Sequence, residues 1–150
     1  MSAFEDVFVR LGPEHISSLA TVECDSFASP WPTSDLRSLL ADANVVCVGT
    51  FVQCKLVAYA LGYHQGESFH LASMAVAPSF RRQGIGEALL RHVLEEVKER
   101  GCARCTLEVR VGNSAARRLY CNAGFMQVRW MEDYYDNPRD DGLELVLVVV

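Results

Sequence analysis

The stretch Arg81-Arg82-Gln83-Gly84-Ile85-Gly86 decides how this chain is read. It lies between a predicted strand, 69–77, and a helical pattern in which Ile85, Leu89, Val93 and Val97 form an apolar stripe widened by Leu90 and Leu94. A helix start leaves its first backbone N–H groups without partners and carries partial positive charge. Glycines let an anion come close to those amides, and two arginines add formal charge, so the segment suits a phosphate. It is not a P-loop, which needs G-x-x-x-x-G-K followed by Ser or Thr. Nor is it a dinucleotide fingerprint, which follows the first strand of its fold, whereas this loop is mid-chain. A tight strand-to-helix turn with solvated arginines would show the same glycines, so the loop alone leaves both readings open.

Working outward, short strands alternate with amphipathic helices. A first strand is predicted at 8–11, then a helix from Pro13 to about Cys24, with Ile16, Leu19, Ala20 and Cys24 on one face. The segment 27–32 holds two prolines and must be irregular. Thr33 or Ser34 is expected to cap a short helix carrying Leu36, Leu39 and Leu40. Strands at 45–51 and 56–63 are joined by a tight turn at 53–55, and 65–67 turns into the strand before the loop. Glu87 with Arg91 and Glu96 with Arg100 are i,i+4 pairs on the outside of the long helix, and Gly101 ends it. A strand at 104–111 follows. Asn113 or Ser114 then caps a helix running to Asn122, stopped by Gly124. Final strands at 125–134 and 143–150 flank a polar loop, 136–142. The expectation is one α/β (α+β) domain over 1–150, a mixed sheet with helices packed on it.

Bulk properties narrow the chemistry. A chain of 150 residues, half of them apolar, suits one domain with a proper core. The formal net charge of −5 disfavours nucleic acid as a partner and favours cationic acceptors. No run approaches the roughly twenty apolar residues of a membrane span. Residues 1–10 carry Glu5 and Asp6 and lack a signal-peptide pattern, so a cytoplasmic protein is expected. Its six cysteines are then reduced thiols. Cys102 and Cys105 form a single C-x-x-C with no second pair, and on a strand they would point to opposite faces, so no metal is expected.

At 74–86, Met74-Ala75-Val76-Ala77-Pro78 followed by Arg81, Gly84 and Gly86 resembles the coenzyme A motif of the GNAT superfamily of N-acetyltransferases, in which Gln or Arg, x, x, Gly, x, Gly or Ala opens a long helix. Leu107-Glu108-Val109-Arg110, Asn113, Ala115, Leu119-Tyr120 and Gly124-Phe125 match the family's second half. With Phe27 to Trp31 and Tyr134-Tyr135, the set resembles the RimI-type branch, which acetylates protein N-termini. Two positions depart from that branch: Gly112 stands where serine or alanine is expected, and the last strand lacks a methionine.

The resemblance implies a GNAT-type sheet of seven mostly antiparallel strands flanked by about four helices, with acetyl-CoA as co-substrate. It implies that amides from Arg82 through Gln83, Gly84 and Ile85 to Gly86, with Arg81, hold the pyrophosphate, and that the backbone at Met74, Ala75 and Val76 meets the pantetheine arm. Asn113 would combine a helix cap with a coenzyme contact, and Phe27, Trp31 and Tyr134 would frame the acceptor. The acceptor implied is a protein N-terminus. A small amine, a lysine side chain or a non-catalytic acyl-CoA sensor are the alternatives.

Acetyl transfer to an amine needs orientation and two proton transfers. With an α-amine near pKa 8 and lysine near 10.4, deprotonation at pH 7 costs about 1.4 and about 4.6 kcal/mol respectively. Glu108 shares a strand face with Thr106 and Arg110 and is a solvated carboxylate on alternation alone. The resemblance makes it the general base, with Glu67 and His70 as weaker alternatives. Tyr120 is a packing aromatic by pattern and the general acid by resemblance, since a phenol keeps its proton at pH 7. The oxyanion would meet a backbone N–H near Val76. Cys121 has no base beside it in sequence, so direct transfer is expected rather than a covalent acetyl-cysteine.

Overall fold

The computed structural model describes residues 7–149. Residues 1–6 and Val150 lie outside the described residues, and with them most of the start read above and the end of the last predicted strand. The elements in order are β1 (Val9–Arg10), α1 (Ile16–Ser26), α2 (Thr33–Ala41), β2 (Val45–Val52), β3 (Lys55–Gln65), β4 (Ser68–Val76), α3 (Ile85–Glu99), β5 (Arg104–Arg110), α4 (Ser114–Ala123), β6 (Met126–Tyr135) and β7 (Asp140–Val148). The strands form one seven-stranded sheet in the order β1-β2-β3-β4-β5-β7-β6. Among the described residues only β4 and β5 pair in parallel, as a crossover through α3 requires.

The sheet has a core on each side. One packs α3 and α4 against it through Ile85, Leu89, Leu90, Val93, Val97 and Tyr120. The predicted stripe is therefore the buried one, which contributes on the order of 10 kcal/mol of hydrophobic stabilisation as an upper bound. The other core packs α1 and α2 against β2, β3 and β4 through Leu19, Val22, Leu36, Tyr59 and Leu61. These two helices stop at β4. The same side of β5, β7 and β6 is uncovered, which leaves Tyr134, beside Glu108, exposed.

Several expectations need correction. The buried stripe of α1 includes Val22 and Glu23, three and four residues after Leu19, while Cys24, one step further round the helix, is exposed. Pro32, extended at φ −58° and ψ 148°, is the residue before α2, so Thr33 and Ser34 lie inside the helix and cap nothing. The last polar loop is shorter than predicted, because Asp140, Asp141 and Gly142 already pair in β7. Cys102 precedes β5 instead of lying on it, so strand alternation does not apply, and both Cys102 and Cys105 enter the core under α3.

Candidate functional site

β4 and β5 share only three rungs: Ser68 with Arg104, Phe69 with Cys105, and His70 with Thr106. Beyond them the strands diverge. The backbone of β4 up to Val76 then pairs with β3 alone, leaving its β5 side to an extended ligand. A bulge explains the divergence: Leu61 pairs with Ser73 and Gly62 with Leu71, so β4 carries one extra residue. Gly62 is needed there, since a side chain would meet the Phe69 ring at 2.5 Å.

The loop 77–84 leads from the split to α3. Arg82 and Gly84 have φ of 62° and 82°, so the chain curls twice in the left-handed region before the helix starts. Backbone N–H groups in such curls converge into an anion-binding concavity. No side chain caps α3 at Gly84, and its first-turn amides stand in the position that binds phosphate. At Gly86 an added Cβ would find only ordinary contacts, with Val76 at 3.6 Å and Leu119 at 3.8 Å, so packing does not demand glycine. The side chains of Arg81, Arg82 and Gln83 are exposed, and Ile85 is buried in the core. Arg81 Nε donates to the Val76 carbonyl at 2.9 Å, tying the loop back to β4. Met74 and Val76 pack toward α3, and Ala75 toward α1 and α2. By contrast, α4 is closed by its own residue: Asn113 Oδ1 accepts from the Ala116 N–H at 3.1 Å.

Glu108 and Tyr120 lie on opposite faces of the sheet. Leu107 and Val109 enter the core under α3 and α4, so Glu108 projects to the side those helices do not cover. His70 Nε2 lies 2.8 Å from Glu108 Oε2, and His70 Nδ1 lies 2.7 Å from Thr106 Oγ1. Tyr134 also hydrogen-bonds the Glu108 carboxylate. The hydrogen bond from His70, opposed by partial burial, holds the Glu108 carboxyl below the ordinary carboxylate range. Burial and the Glu108 charge together raise the Tyr134 phenol. Tyr120 is 8 % exposed and meets Phe125 edge-to-face at 5.6 Å. Burial raises its pKa well above the usual phenol value, so the hydroxyl keeps its proton.

The sequence expectations meet the structure unevenly. Glu108 and Tyr134 are brought into contact, whereas Glu67 is exposed in the β3–β4 turn. His70, the other alternative, touches Glu108 directly. Trp31 packs on the α1–α2 core while Phe27 is 38 % exposed, both in the irregular segment between those helices. Glu23 was not foreseen. It is 2 % exposed, and accepts from the Trp31 N–H at 3.2 Å and from Ser73 Oγ at 3.3 Å. Its place seven residues after Ile16, on the same helix face, was the available signal. Burial raises its carboxyl pKa, partly offset by those two donors. Burial likewise pushes the Cys105 thiol up to about 12, which makes it an inert core residue. Among the described residues no group of three His, Cys, Asp or Glu side chains is placed to hold a metal, and no helix is long and apolar enough to cross a membrane.

A family model described as the acetyltransferase (GNAT) family matches residues 16–125. The chain belongs to the GNAT acetyltransferase family. It is 38 % identical over 95 residues to the ribosomal protein bS18-alanine N-acetyltransferase of Escherichia coli (strain K12), a match spanning 63 % of each chain's length. It is 29 % identical over 131 residues, 87 % of either chain, to a putative ribosomal protein bS18-alanine N-acetyltransferase of Bacillus subtilis (strain 168). The crystal structure of the ribosomal-protein-S18-alanine N-acetyltransferase from Escherichia coli superposes with a TM-score of 0.90 at 28 % identity, covering 95 % of this chain and 93 % of that one. The fold is that of the family, a seven-stranded mixed sheet with four helices. Membership of the GNAT family implies acetyl-CoA as co-substrate. The start of α3, which no side chain caps, and the side of β4 that β5 leaves beyond their third rung fit a diphosphate joined to an extended arm.

Proposed function

We propose that this GNAT chain transfers the acetyl group of acetyl-CoA to the N-terminal α-amine of a protein or peptide, by direct attack within a ternary complex. One observation carries the reading: at the β4–β5 split a carboxylate, Glu108, faces the uncovered half of the sheet while a buried phenol, Tyr120, lies on the other side. That separation suits a reaction with two proton transfers at opposite ends. Acetyl-CoA supplies an activated acyl group. Glu108 takes a proton from the acceptor's ammonium, directly or through water, and Tyr120 gives one to the departing sulfur. The amides of 82–86 hold the pyrophosphate, the backbone of Met74 to Val76 orients the arm, and Asn113 stands at the helix end nearby. The acceptor approaches between Phe27, Trp31 and Tyr134. Similarity to the bS18-alanine N-acetyltransferase of Escherichia coli and to the putative one of Bacillus subtilis supports an acceptor that begins with alanine.

The test is release of free thiol from acetyl-CoA over peptides with Ala, Ser or Met N-termini, N-blocked lysine peptides, polyamines and aminoglycosides, repeated with Glu108→Gln. Turnover on alanine-led peptides that falls about 100-fold or more in that variant is the expected result. Turnover confined to lysine or small amines would replace the acceptor. Tight coenzyme binding without release on any amine would make the chain a sensor.

A further inference from the structure

Glu108 does not stand alone on its face of the sheet. It is the middle of a row that crosses four strands: His70 on β4, Glu108 on β5, Glu144 directly opposite on β7, and Arg129 on β6. Arg129 Nη2 lies 3.2 Å from Glu144 Oε2, so each carboxylate of the facing pair has its own nitrogen partner. Two carboxylates opposite one another on neighbouring strands repel, and each partner reduces that cost. Around them stand Tyr134 and Tyr135 of β6, Arg110 of β5 over the Tyr135 ring at 4.5 Å, and Tyr63 of β3 with its ring 5.3 Å from that of His70.

Building on the base assigned to Glu108 above, we propose that His70 is the positioning residue of this site: held by Thr106 at the last rung before the strands part, it donates to Glu108 Oε2 and aims the carboxylate at the uncovered half of the sheet. The geometry dictates the donor. An ionised carboxylate only accepts, so Nε2 carries a proton whatever the charge of the ring. In the neutral ring Nδ1 is then an acceptor and the Thr106 hydroxyl donates to it; in the charged ring the hydroxyl turns and accepts. Thr106 thus keeps the Nε2 proton on the Glu108 side. The other consequence is electrostatic: the bond from His70 is the leading cause of the depressed Glu108 pKa, so the base form persists well below neutral pH. His70 and Thr106 are 16 % exposed at the side chain and half-buried respectively, and the ladder fixes both backbones.

The test uses the full chain with acetyl-CoA and an alanine-led peptide. It compares His70→Leu, His70→Gln, Thr106→Val, Glu108→Gln and the double variant His70→Leu with Glu108→Gln. Two quantities are read: kcat and KM for acetyl-CoA, and the titration midpoint of the Glu108 side-chain carboxyl by 13C NMR. His70→Leu is expected to lower kcat about 10-fold, leave KM for acetyl-CoA within about twofold, and move the Glu108 midpoint upward. His70→Gln keeps an N–H donor and is expected to recover kcat to within about threefold, with the midpoint close to the native one. Thr106→Val is expected to lower kcat about threefold. The double variant should be no slower than Glu108→Gln, because His70 acts only through that carboxylate. Wild-type kcat and an unmoved midpoint in His70→Leu overturn the proposal, as does a double variant well below Glu108→Gln. Should His70→Leu not fold, an unaltered kcat and midpoint in Thr106→Val overturn it instead. If Glu108→Gln retains full turnover, the base assignment fails and His70 falls with it. If Glu108→Gln is inactive while His70→Leu is native, only the role of His70 fails.

Discussion

On the α3–α4 side of the split, Tyr120 is 8 % exposed and packed among apolar residues, while on the other side Glu108 keeps 27 % of its side chain accessible within a row of polar groups. Desolvation favours the neutral form of both groups. It keeps the phenol protonated, as a proton donor must be, and the hydrogen bond from His70 outweighs it at the carboxylate, which stays ionised. On the roles proposed for them, a dry side for the acid and a wet, hydrogen-bonded side for the base would hold both groups in their working states.

That contrast can be broken from either side. The largest effect is expected from Tyr120→Phe, which keeps the ring against Phe125 and removes only the hydroxyl: kcat should fall about 100-fold, with melting temperature nearly unchanged. A variant with native kcat would reduce Tyr120 to packing. Next is Arg82→Gly, which removes a charge where φ is 62° and glycine is at ease. KM for acetyl-CoA should rise about 10-fold at low ionic strength and less at high salt, as measured by thiol release across a salt series. Asn113→Ala tests the closed helix start against the open one. Loss of the bond to the Ala116 N–H should cost about 1 kcal/mol in urea unfolding.

The smallest effect is expected from a second carboxylate on the α1 side, and its sign opposes that of Glu108. Glu23 has a folded pKa raised by burial, so the stability that its titration contributes is present below the unfolded value and lost as pH rises through the folded one. Glu108, depressed, contributes stability above the unfolded value that is lost as pH falls through its lowered one. Glu23→Gln can still accept from the Trp31 N–H and can donate to Ser73 Oγ. It should therefore gain on the native protein as pH rises from 4.5 to 8, by about 1 kcal/mol or less, followed by urea melts at each pH. A difference that does not change with pH would place the raised pKa in doubt.

Much of this was legible in the residues. The stripe Ile85, Leu89, Val93 and Val97 predicted α3 because a helix buries every third or fourth residue. The i,i+4 pairs Glu87–Arg91 and Glu96–Arg100 form at 3.6 and 3.2 Å, as spacing alone implied. The left-handed glycines at 84, 101 and 124 ended or opened helices where predicted. Glu23 escaped because a charged residue on a helix reads as solvent-facing, although its spacing from Ile16 and Leu19 puts it on the buried face.

Sequence by itself determined the local elements, the strand–loop–helix with its open amides, and the alternation that put Glu108 opposite Leu107 and Val109, since each depends on contacts within a few residues. Tertiary structure alone decided that β4 and β5 pair for three rungs and then part, that His70 and Tyr134 close on Glu108, and that α1 and α2 stop short of β5. The partners in that row are separated by tens of residues along the chain. Only the parallel crossover through α3 and the bulge in β4 bring them within a hydrogen bond, and neither a one-residue bulge nor a non-local register is written in local periodicity.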